Sequence, residues 1–322
     1  MASFEAAYLS PEQVNASEWA AFLSEAHEPP IYVQPWFLEA VTNGRWSLAL
    51  VLQSGQIVAG LPLFVKHKYL WRYSYQPPFT QHWGPVFHKR LLDVKQPYVK
   101  LEQVLETLLQ ALPASLADHQ FATPPSPGFM LSFHSAGYSL KARYSYQIQP
   151  QGLTEEKTLY KTFARTHRRK LKDLPDDYQF ETASLQDYLQ LLPKSGPHFN
   201  TPIYHQTGRH LIEAGLKAEA LDLTKVAHNG QAVSVLGIFR DERKSHTLIG
   251  MMDEVHRKLS PMTLLYARGI LAAQQNDCIF DFEGSMQPDI AYYFSRFGGT
   301  PVPYINLRRR CLTKLTLPNR SF

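Results

Sequence analysis

The eleven residues SGQIVAGLPLF at 54–64 return later in the chain as NGQAVSVLGIF at 229–239. Gly55, Gln56, Val58, Leu61 and Phe64 match Gly230, Gln231, Val233, Leu236 and Phe239 at a constant offset of 175 residues. Each copy follows an apolar run, SLALVL or LDLTKVA, and sets Ser-Gly or Asn-Gly at the corner. Asn-Gly supplies the positive φ angles of a two-residue hairpin turn, and Ser-Gly does so less well. The offset is close to half of the 322 residues. A chain of this length also exceeds the usual ceiling for one hydrophobic core. Two copies of one fold are therefore expected.

The flanks agree with a duplication. Helical patterns precede each hairpin: PEQVNASEWAAFLSEA in the first half, then TEEKTLYKTFARTHRRKLKDL and LQDYLQLL in the second. Between the halves, Pro124, Pro125 and Pro127 mark a loop beside a strand, and YSYQIQP reads as the last strand of the first half. The boundary is expected near Pro150–Gly152, giving domains 1–150 and 151–322. Helices, a meander of strands, then strand–helix–strand–helix predict an α/β sheet covered by helices on both faces.

From 221 onward the pattern predicts strands LDLTKVAH, AVSVLGIFRD and SHTLIGMMDE, a helix from SPMTLLYARGILAAQQND, strand IFDFEG, helix DIAYYFSRFG and strand VPYINL. Ser260 is placed to cap the long helix, with Pro261 in its first turn, where a missing N–H costs nothing. Leu264, Ala267 and Leu271 recur at helical spacing on a face expected to be buried. The free N–H groups of such a helix start favour an anion.

Composition narrows the class without naming a substrate. Hydrophobic residues make up 44% and charged residues 19%, ordinary for a soluble globular protein. Cys278 and Cys311 are the only cysteines, so no disulfide framework exists and a reducing cytoplasm is expected. The start MASFEAAYLSPEQ lacks the basic and apolar regions of a signal peptide. The most apolar window is broken by Gln53, Ser54, Gly55 and Gln56, so no membrane span is expected. A net charge of +5 permits an anionic partner without requiring one. The 13 histidines are scattered without ligand spacing, so no metal is expected. A P-loop and a Gly-x-Ser-x-Gly elbow are both missing, which disfavours nucleotidases and hydrolases.

The order of elements in the second half resembles the GNAT acyltransferase superfamily, and YFSRFGG at 293–299 is similar to its LYEKLGF-like helix ending. The duplicated hairpin with FDFEGS…FSRFGG…VPY looks most like the FemAB-type tandem proteins. That resemblance implies two tandem GNAT-like folds, each a mixed, mostly antiparallel sheet with helices on both faces. It also implies transfer of an acyl or aminoacyl group, from acyl-CoA or aminoacyl-tRNA, to an amine or phosphate-bearing small acceptor, with tRNA as a partner. Arg257, Ser260, Met262 and Thr263 fall in the pyrophosphate-binding slot, which reads RKLSPM where the superfamily has a glycine-rich turn. The tyrosine commonly used there as general acid falls on Phe294. These departures leave open a non-catalytic RNA- or protein-binding protein on a degenerate GNAT fold.

Acyl transfer to an amine needs a positioned donor, an oxyanion partner and a base. Glu283, at the end of its strand, is the base candidate, beside Gly284 and Ser285; a helix-capping role is the alternative. Asp281 faces a cleft or a buried hydrogen bond. His256 is a further catalytic candidate, since histidine as a residue type serves in acid–base chemistry near neutral pH. On a single helix around Phe163, Leu159, Leu171 and Leu174 share one face and Arg165, Arg168, Arg169 and Lys172 the other. Arg168 and Arg169 are thus candidates for a phosphate-bearing substrate, against a merely solvated face. The aromatic loop YLWRYSYQPPFTQHWGPVF at 69–87 offers Tyr75, His82 and Trp83 to an acceptor, or to packing between the halves. Ser285 and Tyr292 complete the substrate-binding candidates.

Overall fold

A computed structural model of the chain describes residues 3–69, 71–95, 97–124 and 127–310. Pro125, Cys311 and most of the LRRRCLTK run's second half lie outside the described residues. The first half runs β1 (Phe4–Leu9), α1 (Ala16–Ser24), α2 (Pro35–Thr42), β2 (Ser47–Gln53), β3 (Gln56–Leu63), β4 (Val65–Lys68), β5 (Trp71–Tyr75), β6 (Val86–Phe87), α3 (Pro97–Gln110), β7 (Leu116–Thr123), α4 (Pro127–Ser135) and β8 (Ser139–Ile148). The remainder runs α5 (Glu156–Thr162), α6 (Arg165–Asp173), β9 (Tyr178–Thr182), α7 (Leu185–Leu191), α8 (Arg209–Lys217), β10 (Leu221–His228), β11 (Gln231–Arg240), β12 (Lys244–Met252), α9 (Met262–Gln275), β13 (Ile279–Asp281), α10 (Pro288–Ser295) and β14 (Thr300–Arg310).

The sequence repeat is a structural repeat. β2–β3 and β10–β11 are both antiparallel hairpins, and the corners Ser54-Gly55 and Asn229-Gly230 all take positive φ between 51° and 77°. Both ladders slip by one residue at equivalent places: between Val51 and Leu52, and between Val226 and Ala227, again 175 residues apart. A bulge inserts a residue and sharpens the local twist, so its repetition marks one architecture used twice.

The two copies are joined by exchanging their last strands. In each copy a strand, a helix and a parallel strand follow one another: β5, α3, β7 in the first and β12, α9, β13 in the second. A further helix and strand come next, α4 then β8, and α10 then β14. Yet β8 pairs with β13, and β14 inserts between β7 and β8. The result is one ten-stranded sheet, β4-β5-β7-β14-β8-β13-β12-β11-β10-β9, beside a four-stranded sheet, β1-β2-β3-β6. The sheet is mostly antiparallel, with β5–β7 and β12–β13 as parallel pairs.

Two cores hold this together. One is centred on Trp19, Tyr32, Phe37 and Trp46 and reaches α8 and β11; the other gathers Phe163, Tyr266, Phe280, Phe282, Phe294 and Phe297 around α9. On α9, Ala267 and Leu271 are buried as the spacing predicts, while Leu264 is half-buried. Its start differs from expectation. The helix begins at Met262, and Ser260 sits at φ +54° with its Oγ bonded to Thr263 Oγ1 at 3.0 Å instead of capping a backbone N–H. The single basic helix expected across Phe163 is two helices. Phe163 takes an extended ψ of 151°, ending α5, and α6 restarts at Arg165. Phe163, at the break, is fully buried in the second core. Among the described residues, no helix is long and apolar enough to cross a membrane.

Candidate active site

Strand β13 ends at Asp281, and the chain turns sharply over β8. Glu283 and Gly284 both adopt left-handed backbone, at φ 61° and 74°. A non-glycine residue there is uncommon and is held only by its surroundings. The holding group is Asp281, whose Oδ1 accepts from the Glu283 N–H at 2.9 Å. The same carboxylate accepts from Ser145 Oγ and from Gln147 Nε2, the latter at 2.6 Å, both on β8. A Cβ on Gly284 would lie 2.6 Å from the Tyr144 carbonyl oxygen, so the turn passes β8 with no room for a side chain.

The turn aims Glu283 at two partners from distant elements. His246, the register neighbour of Asp281 on β12, meets Glu283 Oε1 with Nδ1 at 2.6 Å. Its Nε2 meets Asp241 Oδ2, in the β11–β12 turn, at 3.0 Å. Tyr32, in the short 3-10 turn Ile31–Val33, donates its hydroxyl to Glu283 Oε1 and lies 3.1 Å from His246 Nδ1. Tyr32, His246 and Glu283 are almost entirely buried. Burial disfavours a charged imidazole, but the hydrogen bonds and charges of Asp241 and Glu283 outweigh it and push His246 up to about 10. Burial, reinforced by the Asp281 charge, raises Glu283 above the usual carboxylate range. Burial likewise drives the Tyr32 hydroxyl well above its ordinary value, so it stays a donor. The outcome is an imidazolium clamped between two carboxylates, one of which faces the cleft.

His246, Asp281 and Glu283 also bring metal-type ligand atoms within 4.8 Å of one another. Both His246 nitrogens and both Asp281 oxygens are already in the hydrogen bonds just described. A protonated imidazole has no lone pair for a cation. The cluster is built for sharing protons.

Glu283 opens onto a cleft of about 760 Å³. Ser285, Arg257, Ser260 and Met262 line it, as do Lys170 of α6 and Tyr293 of α10. The loop before β6 contributes Gln81, 5% exposed, and neither end of its carboxamide has a protein partner among the described residues. Buried amides without partners are rare, and one facing a cleft is suited to hydrogen-bond a ligand. Tyr293, next to Phe294 on α10, bonds Thr263 Oγ1 at 3.1 Å. Phe294 itself packs on Phe282 at 4.6 Å.

The other candidates lie elsewhere. Thr263 is buried beneath the cleft, while Trp83 belongs to the first core. His82 packs behind Tyr32, with ring centroids 6.0 Å apart, and burial pushes it down to about 3. Tyr75 lines a separate groove. Arg168 and Arg169 stand on the exposed side of α6, Arg169 pairing with Asp173 at 3.4 Å. Tyr292 lies outside under Arg296, 4.0 Å from its ring centre to the guanidinium. His256 is bonded to the Tyr178 hydroxyl at 2.7 Å. Sequence reasoning missed Tyr32, Asp241, His246 and Gln81. His246 sits in an alternating strand and Tyr32 in an apolar PPIYVQP run, and only the pairing of β12 with β13 and the packing of the halves unite them.

The start of α9 fits a coenzyme A pyrophosphate poorly. The N–H of Ser260 bonds His256 and Arg257 carbonyls, those of Thr263 and Leu264 bond Ser260 and Pro261, and Pro261 has none. A phosphate would have to displace these bonds.

Residues 160–289 match a family model described as an acetyltransferase (GNAT) domain. The fold is similar to the crystal structure of FemX, with 12% identity, a TM-score of 0.67, and 91% of this chain and 96% of that chain covered. It is also similar to a tandem GNAT protein from the clavulanic acid biosynthesis pathway, at 11% identity and TM-score 0.53, covering 96% and 98%. A third likeness is to the C-terminal domain of a putative lysylphosphatidylglycerol synthetase from Agrobacterium fabrum, at 12% identity and TM-score 0.50, covering 79% and 82%. No curated protein matches the sequence. With its repeated bulged hairpin and exchanged last strands, the chain has a tandem fold similar to those of FemX and the tandem GNAT protein, and within it residues 160–289 match the acetyltransferase (GNAT) domain.

Proposed function

We propose that the protein transfers an aminoacyl or acyl group to an amine, with Glu283 as general base, and that residues 1–150 and 151–322 are its two GNAT-like copies. The observation that carries this reading is the buried Glu283 carboxylate, aimed into the cleft by a left-handed turn and clamped by His246 and Tyr32. Raised by burial, it binds a proton more strongly than a surface carboxylate does. The acceptor nitrogen would form the new C–N bond as its proton passes to Glu283, while the carbonyl's bond to the donor oxygen breaks and that oxygen takes up a proton. The His246 imidazolium keeps Glu283 ionised beforehand. Gln81 would hold the acceptor and Arg257 and Lys170 an anionic part of either substrate. The engaged amides at the α9 turn support an aminoacyl ester over a coenzyme A thioester as donor.

The test is thermal unfolding of the full chain with aminoacylated tRNA, the same tRNA deacylated, and acetyl-coenzyme A, followed by mass spectrometry of an amine panel. Stabilisation that requires the aminoacyl group, with an amide product, is expected. Equal stabilisation by any RNA, with no product, would replace the transferase by a nucleic-acid binder.

A further inference from the structure

The β4–β5 hairpin stands at one edge of the ten-stranded sheet. Its turn residue Tyr69 is 92% exposed, the most exposed large apolar side chain described, and Trp71 is 40% exposed. Register places Lys66 opposite Tyr73, His67 opposite Arg72, and Lys68 opposite Trp71. Alternation along a strand then puts Lys66 and Lys68 on one face of the hairpin and His67 and Arg72 on the other. Lys66 and Lys68 thus share a face with Trp71 and Tyr73, while half-buried Arg72, on the other face, donates to Ser115 Oγ at 2.9 Å. Beside it lies a groove of about 740 Å³, lined by Trp71, Tyr73 and Tyr75 together with Lys66, Lys68 and Arg310.

We propose that this hairpin docks the protein on an anionic bilayer surface, with Tyr69 and Trp71 at headgroup depth and Lys66 and Lys68 among the lipid phosphates. Tyrosine and tryptophan favour the membrane–water interface because one side of the ring is apolar and the other can hydrogen-bond. Lysine and arginine near an anionic leaflet add a Coulombic attraction. A single-stranded nucleic acid is the competing occupant, and three features disfavour it. Tyr69 projects from the turn instead of lying on the sheet. The rings of Tyr73 and Tyr75 are tilted by 46°, so they form no common stacking plane. Asp118 lines the groove that a phosphodiester chain would cross. The proposal stands independently of the transferase reading, since it concerns another part of the molecule and is read by binding.

The experiment is co-sedimentation of the full chain with vesicles of phosphatidylglycerol and phosphatidylcholine in equal parts, against vesicles of phosphatidylcholine alone. Binding to the anionic vesicles that weakens with added salt is expected. Lys66→Gln with Lys68→Gln should lower the affinity roughly 25-fold, about fivefold per charge. Lipids brominated near the headgroup should quench the wild-type fluorescence, and Trp71→Phe should abolish most of that quenching, because Trp19, Trp46 and Trp83 are buried and Trp36 is partly buried against the first core. Unchanged unfolding temperatures would show both variants folded. Failure to sediment with anionic vesicles, binding unaffected by the lysine changes, or tighter binding to a single-stranded oligoribonucleotide through the same lysines would each overturn the proposal.

Discussion

Tyr32 and Glu283 are separated by 251 residues, yet the Tyr32 hydroxyl donates to Glu283 Oε1 inside the protein. The first copy therefore supplies a wall of the site whose proposed base, Glu283, belongs to the second. A proton-accepting carboxylate with a tyrosine donor on one side and an imidazolium on the other is tuned by both copies at once.

Glu283→Gln keeps the shape of the side chain and removes its basicity. Turnover should fall by about 10²- to 10⁴-fold, the usual contribution of a positioned base, with donor affinity unchanged. Single-turnover rates beside equilibrium binding check this; an undiminished rate would make Glu283 structural.

Tyr32→Phe removes a hydrogen bond that favours the ionised carboxylate. The acidic limb of the rate profile should move to higher pH, because Glu283 then holds its proton more strongly. The fold should lose only about 1–2 kcal/mol. A pH–rate profile that does not shift would show that the hydroxyl does not act on Glu283.

His246 is raised from 6.5 to about 10. A base whose folded value exceeds its unfolded one stabilises the fold fully below 6.5, and that stabilisation fades as pH rises through about 10. His246→Gln leaves two buried carboxylates without their cation, which costs about 3–5 kcal/mol near neutrality. Denaturant titrations of both proteins across this range should show the gap narrowing with rising pH. A constant gap would mean that His246 is neutral.

Gly284→Ala places a Cβ 2.6 Å from the Tyr144 carbonyl at a φ of +74°. Either β8 or the turn must move, so stability should fall by roughly 1–3 kcal/mol and turnover with it. Ser285→Ala, one residue on and half-buried, is the control: it loses only the bond that Ser285 Oγ accepts from the Gln287 N–H at 3.0 Å and should cost about 1 kcal/mol or less.

Gln81→Leu replaces a buried carboxamide without protein partners by an apolar side chain of similar size. The folded protein should be as stable or more so, since an orphaned amide disappears. Acceptor KM should rise about tenfold or more with kcat little altered. A change in neither constant would remove Gln81 from the acceptor site.

Local patterning made much of this molecule readable. The apolar runs over 221–228 and 231–240, the Asn-Gly corner and the long helix ahead of Ile279 all follow from side-chain period and turn chemistry within a few residues. The corner at Glu283 was legible too, because a carboxylate followed by Gly-Ser after an apolar strand marks a strand-to-helix turn. The break at Phe163 was not, since the basic run continues past it with helical spacing; at the break one aromatic ring is fully buried.

By itself the sequence determined the repeated hairpin and its corner residues, because turn geometry depends on neighbours in the chain, while the matching bulges 175 residues apart emerged from the strand pairing. Only the tertiary structure decided that β14 inserts between β7 and β8, and that Tyr32 and Asp241 converge with His246 on Glu283. Strand exchange and a buried charge cluster are long-range arrangements. Their energies depend on which surfaces are removed from water together, and no local pattern records that.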